Sequence, residues 1–511
     1  MRRAIQYILI AVTLAAAVVA SVACLSFAEE DGSPVVIGTY RTLHSRVLNE
    51  ERTLLVSLPQ GYEEANNRYP VLYILYGGQV RGYFADAVHI VDRLNESTMI
   101  PELIIVGVKN VDRYRDNLPV NRDGAEGGAG KFLQFFTEDL IPFIDDNYRT
   151  EDFRILLGPQ AGAAFALYAL MEEPGLFRAN IVTNPFWTRS SARYLLAKSE
   201  ECFAGVDPLN AFLFITCETS DDNEATMALL DSLVSVVESG SRSGFTLMLN
   251  PLGEEGAGDW IPSPGLKEGL KAYFKAYRFP DDMAVGGLED LTGYYGDLSA
   301  RYGYDVEIPQ FTLIRRGNEV ENSGNLDGAQ VMYEYALHHY PHGLTSLICL
   351  AGVHQKKGEY EQAIAYYEEF LRRSPDPMVG RRLASLKRYV SDSAAYAIER
   401  AVMEGGTQAG LSKFEELRSG DGGGFYFDEN EFNALGYAFV ARGMVEAAIE
   451  VFKMNVELNP ESANAYDSLG EAYLMNENVE LAVRNYRKSL KLNPDNANAR
   501  EVLERLGESA D

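Results

Sequence analysis

Residues 153–172 read FRILLGPQAGAAFALYALME, in which one apolar run leads through a glycine-framed segment into a second apolar run. The first run, up to Leu157, has the length and content of a buried strand, whereas residues 163–172 have those of a helix. Between them stands Gly158-Pro159-Gln160-Ala161-Gly162. The stretch therefore predicts a strand followed directly by a helix, joined by a short segment with glycine at both ends.

Short apolar runs of strand length recur through the first half of the chain. They occupy residues 53–58, 71–75, 103–108 and 212–217. A helical stretch at residues 131–145 precedes the quoted strand. Apolar strands that alternate with helices are typical of a mainly parallel sheet covered on both faces. The sequence thus predicts an α/β domain over residues 35–282.

After residue 282, helix-period segments replace the strands and repeat every 34 residues. Residues 310–343 align with 344–377, and residues 429–462 align with 463–496. The matching positions are Gly324/Gly358, Ala329/Ala363, Tyr333/Tyr367 and Pro341/Pro375 in the first pair, and Leu435-Gly436/Leu469-Gly470, Ala448/Ala482, Phe452/Tyr486 and Pro460/Pro494 in the second. Small residues let the paired helices approach, aromatic residues fill the gap to the next unit, and proline ends the second helix. The pattern resembles tetratricopeptide repeats, which implies an all-α domain over residues 283–511 whose surface binds a protein or peptide.

Segments around the predicted strands resemble the putative esterase family, which includes enterochelin esterase-like and esterase D-like proteins. The segments are residues 44–52, 69–78, 100–108, 110–116 and 131–149. The resemblance extends over roughly residues 35–280. It implies an α/β-hydrolase fold whose sharp strand-to-helix turn reads Gly-x-Ser-x-Gly, with the serine as nucleophile.

This chain departs from that pattern at two catalytic positions. Gln160 stands where the family has its serine, and the family's histidine position falls near Gly258. A carboxamide nitrogen is delocalised into its carbonyl, so a neighbouring base cannot turn it into a nucleophile. The family's acid corresponds to Asp221 or Asp222, but an acid that orients histidine has no role without the histidine. The sequence therefore favours a protein that has lost ester hydrolysis.

Without the serine and the histidine, the resemblance still implies a site that could bind a ligand. The backbone N–H groups of Gly78 and Ala161 would form an oxyanion-like pair that could bind a small carbonyl ligand. Tyr76 and Trp187 are the candidate side chains of the pocket. The alternative is that the pocket is filled and closed.

Three functional hypotheses follow from these residues. The first is a catalytically degenerate esterase-family protein that acts as a ligand- or protein-binding scaffold. The second is an active carboxylic-ester hydrolase with an unconventional set of residues, such as Ser191, Glu254 or Asp259. The third is that the hydrolase half is only a folded platform and the repeats perform the function.

Charge and the first residues indicate where the protein works. With 46 Lys and Arg against 74 Asp and Glu, the net charge of −28 argues against nucleic acid as a partner. Arg2 and Arg3 precede an apolar run at residues 8–23, which is typical of a signal peptide, here residues 1–28, rather than of a membrane span. We expect an exported protein, periplasmic or extracellular, with a lipid anchor on Cys24 as the alternative. No cysteine or histidine spacing suits a metal, and no cofactor is expected.

Overall fold

The computed structural model describes residues 36–63, 66–75, 81–109, 111–205, 208–218, 224–240, 243–252, 263–420 and 424–508. The chain forms two compact units, which divide between Cys349 and Leu350. In the described residues, no helix is long and apolar enough to cross a membrane.

The first unit contains an eight-stranded sheet in the order β1-β2-β4-β3-β5-β6-β7-β8. The strands are β1 (Thr39–Ser45), β2 (Glu50–Ser57), β3 (Tyr69–Leu75), β4 (Ile104–Val108), β5 (Thr150–Pro159), β6 (Ala179–Thr183), β7 (Ala211–Glu218) and β8 (Phe245–Leu252). β1 pairs antiparallel with β2, and β2 antiparallel with β4, whereas all the other neighbours are parallel. Every residue of β3, β4 and β6 is buried, as expected for strands covered on both faces. The predicted α/β fold class is confirmed.

Helices surround this sheet and then continue beyond it. The helices of the first unit are α1 (Arg81–Glu96), α2 (Arg113–Asn117), α3 (Ala129–Phe135), α4 (Ile141–Asn147), α5 (Gly162–Glu172), α6 (Arg189–Phe203), α7 (Glu224–Gly240), α8 (Ser263–Tyr273), α9 (Leu288–Tyr302), α10 (Gln310–Asn322) and α11 (Leu326–His339). Helix α12 (Leu344–Lys357) spans the division between the units. The later helices are α13 (Tyr360–Arg373), α14 (Pro377–Asp392), α15 (Ala394–Arg418), α16 (Glu429–Ala441), α17 (Val445–Leu458), α18 (Ala463–Met475), α19 (Val479–Leu492) and α20 (Ala497–Arg505).

The helical stretch predicted at residues 131–145 is not one regular helix. A π-helical turn, Phe136–Leu140, separates α3 from α4. The turn carries Phe136 into a fully buried cluster of phenylalanines that includes Phe132 and Phe165. The change of helical pitch at this turn rotates the following side chains about the helix axis. The sequence period did not predict the turn, because packing in the core determines it.

The chain leaves the sheet domain at the end where β5 begins. Phe153, near the start of β5, contacts the rings of Tyr302 (6.1 Å between ring centroids) and Tyr304 (5.1 Å). Helix α9 and the segment before α10 therefore pack at the N-terminal ends of the parallel strands. Gln160 follows the other end of β5.

Each predicted repeat unit contains two helices joined by a short turn. Gly324 has φ +92° in the turn of residues 310–343, where a left-handed backbone favours glycine. A Cβ atom on Gly436 would lie 2.4 Å from the ring of Phe452, and one on Gly470 would lie 3.2 Å from that of Tyr486. The aromatic residue therefore packs on the glycine of its own unit, rather than only toward the next unit as the sequence suggested.

Candidate functional site

The corner between β5 and α5 places Gln160 at the C-terminal edge of the sheet. Gln160 has φ +49°, a conformation that few residues other than glycine adopt. Its N–H donates to the carbonyl oxygen of Thr183 (2.9 Å), and its own carbonyl oxygen accepts from the N–H groups of Ala163 (3.1 Å) and Phe186 (3.0 Å). These three hydrogen bonds hold the strained backbone in place.

The two glycines of the corner are required by close backbone approach. A Cβ atom on Gly158 would lie 2.6 Å from the carbonyl oxygen of Gly162 and 3.0 Å from the Cβ of Ala166. A Cβ on Gly162 would lie 3.1 Å from Cδ1 of Leu75, on the neighbouring strand β3. The corner thus has the tight geometry of a nucleophile turn, while the residue at its tip is a glutamine.

Replacing Gly158 by alanine should destabilise the first unit by about 1–3 kcal/mol, because the added methyl group meets backbone atoms that cannot move aside. Gly293→Ala is the matched control, since its Cβ would meet nothing within 4 Å in helix α9. That control should leave the stability unchanged or raise it by up to about 1 kcal/mol. Urea unfolding of both variants measures the difference, and equal stabilities would contradict the close approach.

The remaining predicted site residues divide into those the structure describes and those it does not. Ala161 is buried at the start of α5, and in the described part of the chain its N–H donates no hydrogen bond, as is usual at a helix N-terminus. Trp187 is half-buried against the core, and its indole Nε1 is buried without a hydrogen-bond partner among the described residues. Five predicted positions lie outside the described residues, namely Tyr76, Gly78, Asp221, Asp222 and Gly258. Their proposed roles stay predictions.

Two threonines lie directly beside the corner, on adjacent strands. Thr183 of β6 is in register with Thr216 of β7. Both hydroxyl groups are buried and have no partner among the residues that the structure describes. A Cβ on Gly265 of α8 would lie 2.3 Å from Cγ2 of Thr216 and 2.5 Å from that of Thr183, so α8 packs tightly there. The sequence did not single out these threonines, since only the strand register brings them together.

An aromatic and cationic rim stands next to Gln160. We define the rim as Arg113, Tyr114, Arg122 and Phe186. The guanidinium carbons of Arg113 and Arg122 lie 4.9 Å and 5.5 Å from the ring centroid of Tyr114. Phe186 packs edge-on against Tyr114 at 6.3 Å and is 44% exposed, while its N–H donates to Gln160 as described above. Two cations therefore lie on this edge, in contrast with the strongly negative charge of the whole chain.

A buried ion-pair network fixes the segment that carries the rim. Arg52 of β2 is 0% exposed and donates to both carboxylate oxygens of Asp116, at 2.8 Å and 3.2 Å. Arg115 donates to Asp116 and to Glu50, each at a shortest distance of 2.7 Å. The hydrogen bond from Arg115 holds the pKa of Glu50 below its usual range. This network ties α2, with Tyr114 in it, to strand β2.

Of the three candidates for an unconventional catalytic set, the structure describes only Ser191, and its surroundings give a catalytic role little support. Ser191 is fully buried, and its hydroxyl donates to the carbonyl oxygen of Val120 at 2.6 Å. A hydroxyl used in this way holds a loop and is not free to attack a substrate. Glu254 and Asp259 lie outside the described residues. In the part of the chain that the structure describes, no three His, Cys, Asp or Glu residues are arranged to hold a metal ion.

Comparison with known families agrees with both halves of this architecture. Residues 45–210 match the putative esterase family, and residues 314–376 and 463–496 match tetratricopeptide repeat families. The chain therefore combines an esterase-family domain with C-terminal tetratricopeptide repeats.

Two curated relatives come from Bacillus subtilis (strain 168). Ferri-bacillibactin esterase BesA is 32% identical over 167 residues, covering 28% of this chain and 57% of the relative. Uncharacterized protein YjcH is 31% identical over 145 residues, covering 28% of this chain and 59% of the relative. The chain spans somewhat more than half the length of these relatives. Among solved structures, an IroE-like serine hydrolase from Shewanella oneidensis is 24% identical with a TM-score of 0.48, covering 59% of this chain and 99% of that one.

Proposed function

We propose that the esterase-family domain binds an ester- or carbonyl-bearing ligand without hydrolysing it, and that the repeats hold a protein or peptide partner. The observation that carries the proposal is the glutamine at the tip of the strained corner. A carboxamide can donate and accept hydrogen bonds there, but a base cannot activate it for attack. The retained corner therefore supports recognition, and the lost serine argues against turnover.

The rim supports an anionic and aromatic ligand for this site. Its arginines offer charge, and Tyr114 and exposed Phe186 offer ring faces. One curated relative is named a ferri-bacillibactin esterase, so ferri-bacillibactin is the first ligand to test. The resemblance of the whole chain to that relative is partial, and the ligand is accordingly part of the proposal.

The test pairs turnover with binding on the full mature chain. We expect p-nitrophenyl acetate to be hydrolysed no faster than in buffer, and we expect no labelling by a serine-directed fluorophosphonate. Gln160→Ala should leave both results unchanged, whereas ferri-bacillibactin should quench tryptophan fluorescence through Trp187. Robust turnover that disappears in Gln160→Ala would show an active hydrolase and overturn the proposal.

Export is proposed on the basis of residues 1–28. Arginines before a short apolar run support a signal peptide, and Cys24 supports the alternative of a lipid anchor. Mass spectrometry of the mature chain separates the two, because cleavage after Ala28 leaves no modified cysteine at the first residue. A full-length chain that retains Met1 would contradict export by either route.

A further inference from the structure

A cavity of about 260 Å³ lies in the first unit, at the opposite end of the sheet from Gln160. It is lined by the start of β3, the end of α1, the residues before β4, and the segment that leads into α10. Because β3 and β5 are parallel, these strand starts face away from the edge where Gln160 stands. The cavity is therefore separate from the site described above.

Glu102 is the carboxylate placed in this cavity by the residues before β4. It is partly buried, and within the described ranges its carboxyl group makes no hydrogen bond and no ion pair. Loss of hydration raises the pKa of Glu102 to about 7. A carboxyl group without partners in a cleft calls for an explanation, since such groups are normally hydrogen-bonded.

Tyr277 is a second polar group without a partner in the same cavity. Its side chain lines the cavity and is only 6% exposed. No hydrogen bond joins its hydroxyl to any residue that the structure describes. By contrast, the hydroxyl of Tyr340, which also lines the cavity, donates to the carbonyl oxygen of Ile308 at 2.8 Å. A phenol and a carboxyl thus remain available to whatever occupies the space.

The charged residues that line the cavity favour a cation as its ligand. Among the described lining residues, the carboxylates are Glu96, Glu102, Asp305 and Glu307, and the cation is Arg68. Arg68 is engaged, because its Nε donates to the carbonyl oxygen of Thr150 at 2.8 Å. The excess of negative charge beside tyrosine rings is suited to an organic cation, which gains from both the carboxylate and the ring faces.

We propose that this cavity binds a small organic cation, a primary ammonium or guanidinium group that donates hydrogen bonds to Glu102 while its alkyl chain lies against Tyr277 and Tyr304. The cation could be a free diamine or the side chain of a lysine or arginine in a peptide. Both sources offer the same chemistry to the cavity, and the experiment separates them.

Binding should depend on pH in one direction. The cation binds the ionised carboxyl, so protons compete with it and the affinity should rise from about pH 6 to 8. The other titratable or charged groups around Glu102 are Arg68, Tyr69, Glu96, Tyr277, Tyr304, Asp305, Glu307 and Tyr340. His339 approaches Glu307 at 3.1 Å, so His339→Gln is included to show that the pH dependence does not come from this histidine.

Isothermal titration calorimetry of the full chain with cadaverine tests the site, with uncharged 1,5-pentanediol as the ligand control. We expect cadaverine to bind one molecule per chain and the diol not to bind. Glu102→Gln should weaken cadaverine binding by about 10- to 100-fold, the effect of a hydrogen bond to a charged group. Glu138→Gln, at an exposed carboxylate outside the cavity that accepts from Gln134, should change it by less than about threefold.

Folding of the key variant can be checked independently. The folded-state pKa of Glu102 lies above its unfolded value, so ionisation destabilises the fold as pH rises through the neutral range. Glu102→Gln should consequently be at least as stable as the parent chain at about pH 8. A folded Glu102→Gln variant that binds cadaverine as tightly as the parent, or equal binding of the diol, would overturn the proposal.

A lysine-containing tripeptide with blocked ends identifies the source of the cation. Tighter binding of this peptide than of cadaverine would assign the cavity to a peptide side chain, and the reverse order would assign it to a free amine. Either order supports a cation site. If neither probe binds, the proposal of a cation site is contradicted, whatever the outcome at Gln160.

Discussion

Asp116→Ala should lower the free energy of unfolding of the esterase-family domain by about 3–5 kcal/mol, the usual result of removing one partner of a buried ion pair. Asp116 is 2% exposed and accepts two hydrogen bonds from Arg52, which is itself fully buried. Removing the carboxylate leaves the Arg52 guanidinium inside the domain with Glu50 as its remaining carboxylate partner among the described residues. The charge of Arg52 cannot be neutralised by loss of a proton at any ordinary pH.

Tryptophan fluorescence in a urea titration measures this loss selectively. The chain has two tryptophans, Trp187 and Trp260, and both precede the repeats. Arg113→Ala is the control, because Arg113 lies in the same short helix but is exposed, and its loss should change stability by no more than about 0.5 kcal/mol. If Asp116→Ala lowered the free energy of unfolding as little as this control does, the ion pair between Arg52 and Asp116 would not be what holds α2 to β2.

Phe136→Ala should lower the stability of the same domain by about 3–5 kcal/mol, through lost burial and an unfilled cavity. Phe136 is fully buried at the centre of an aromatic cluster. Its ring centroid lies between 5.3 Å and 5.9 Å from those of five neighbours, namely Tyr73, Phe132, Phe135, Phe165 and Phe177. Because these neighbours come from several elements, collapse around the missing ring would require them to move together.

Phe186→Ala makes the same chemical change at the exposed rim. Phe186 keeps one ring contact, with Tyr114, so its replacement should reduce stability by about 1 kcal/mol or less. The comparison uses the same urea titration. Similar losses in the two variants would mean that the π-helical turn does not place Phe136 in a closed core.

The fold class was predictable from the sequence because β3, β4 and the second half of β5 are almost wholly apolar and lead into glycine or turn residues. Strands β6 and β8 were missed. β6 has only five residues and contains Asn180, while β8 is an edge strand with exposed Met248 and Leu249, so neither shows a clear buried run. The π-helical turn was missed because phenylalanine packing, and not the local period, determines it.

At the site, the corner around Gln160 was predictable because its geometry depends on neighbouring glycines. Arg115 pairs with its neighbour Asp116, and Arg113 stacks on the ring of Tyr114. The partner of Asp116 could not be predicted, since Arg52 is 64 residues away. The cavity around Glu102 could likewise not be predicted from the sequence, because a carboxylate loses its hydration only after distant segments have packed around it.

The exit of the chain at the starting ends of the parallel strands has an evolutionary consequence. The first repeat, residues 310–343, begins at that end, so a change in its helices need not alter the loops that follow the strands at the other end. Selection can therefore act on these helices and on the residue at the Gln160 corner as independent traits.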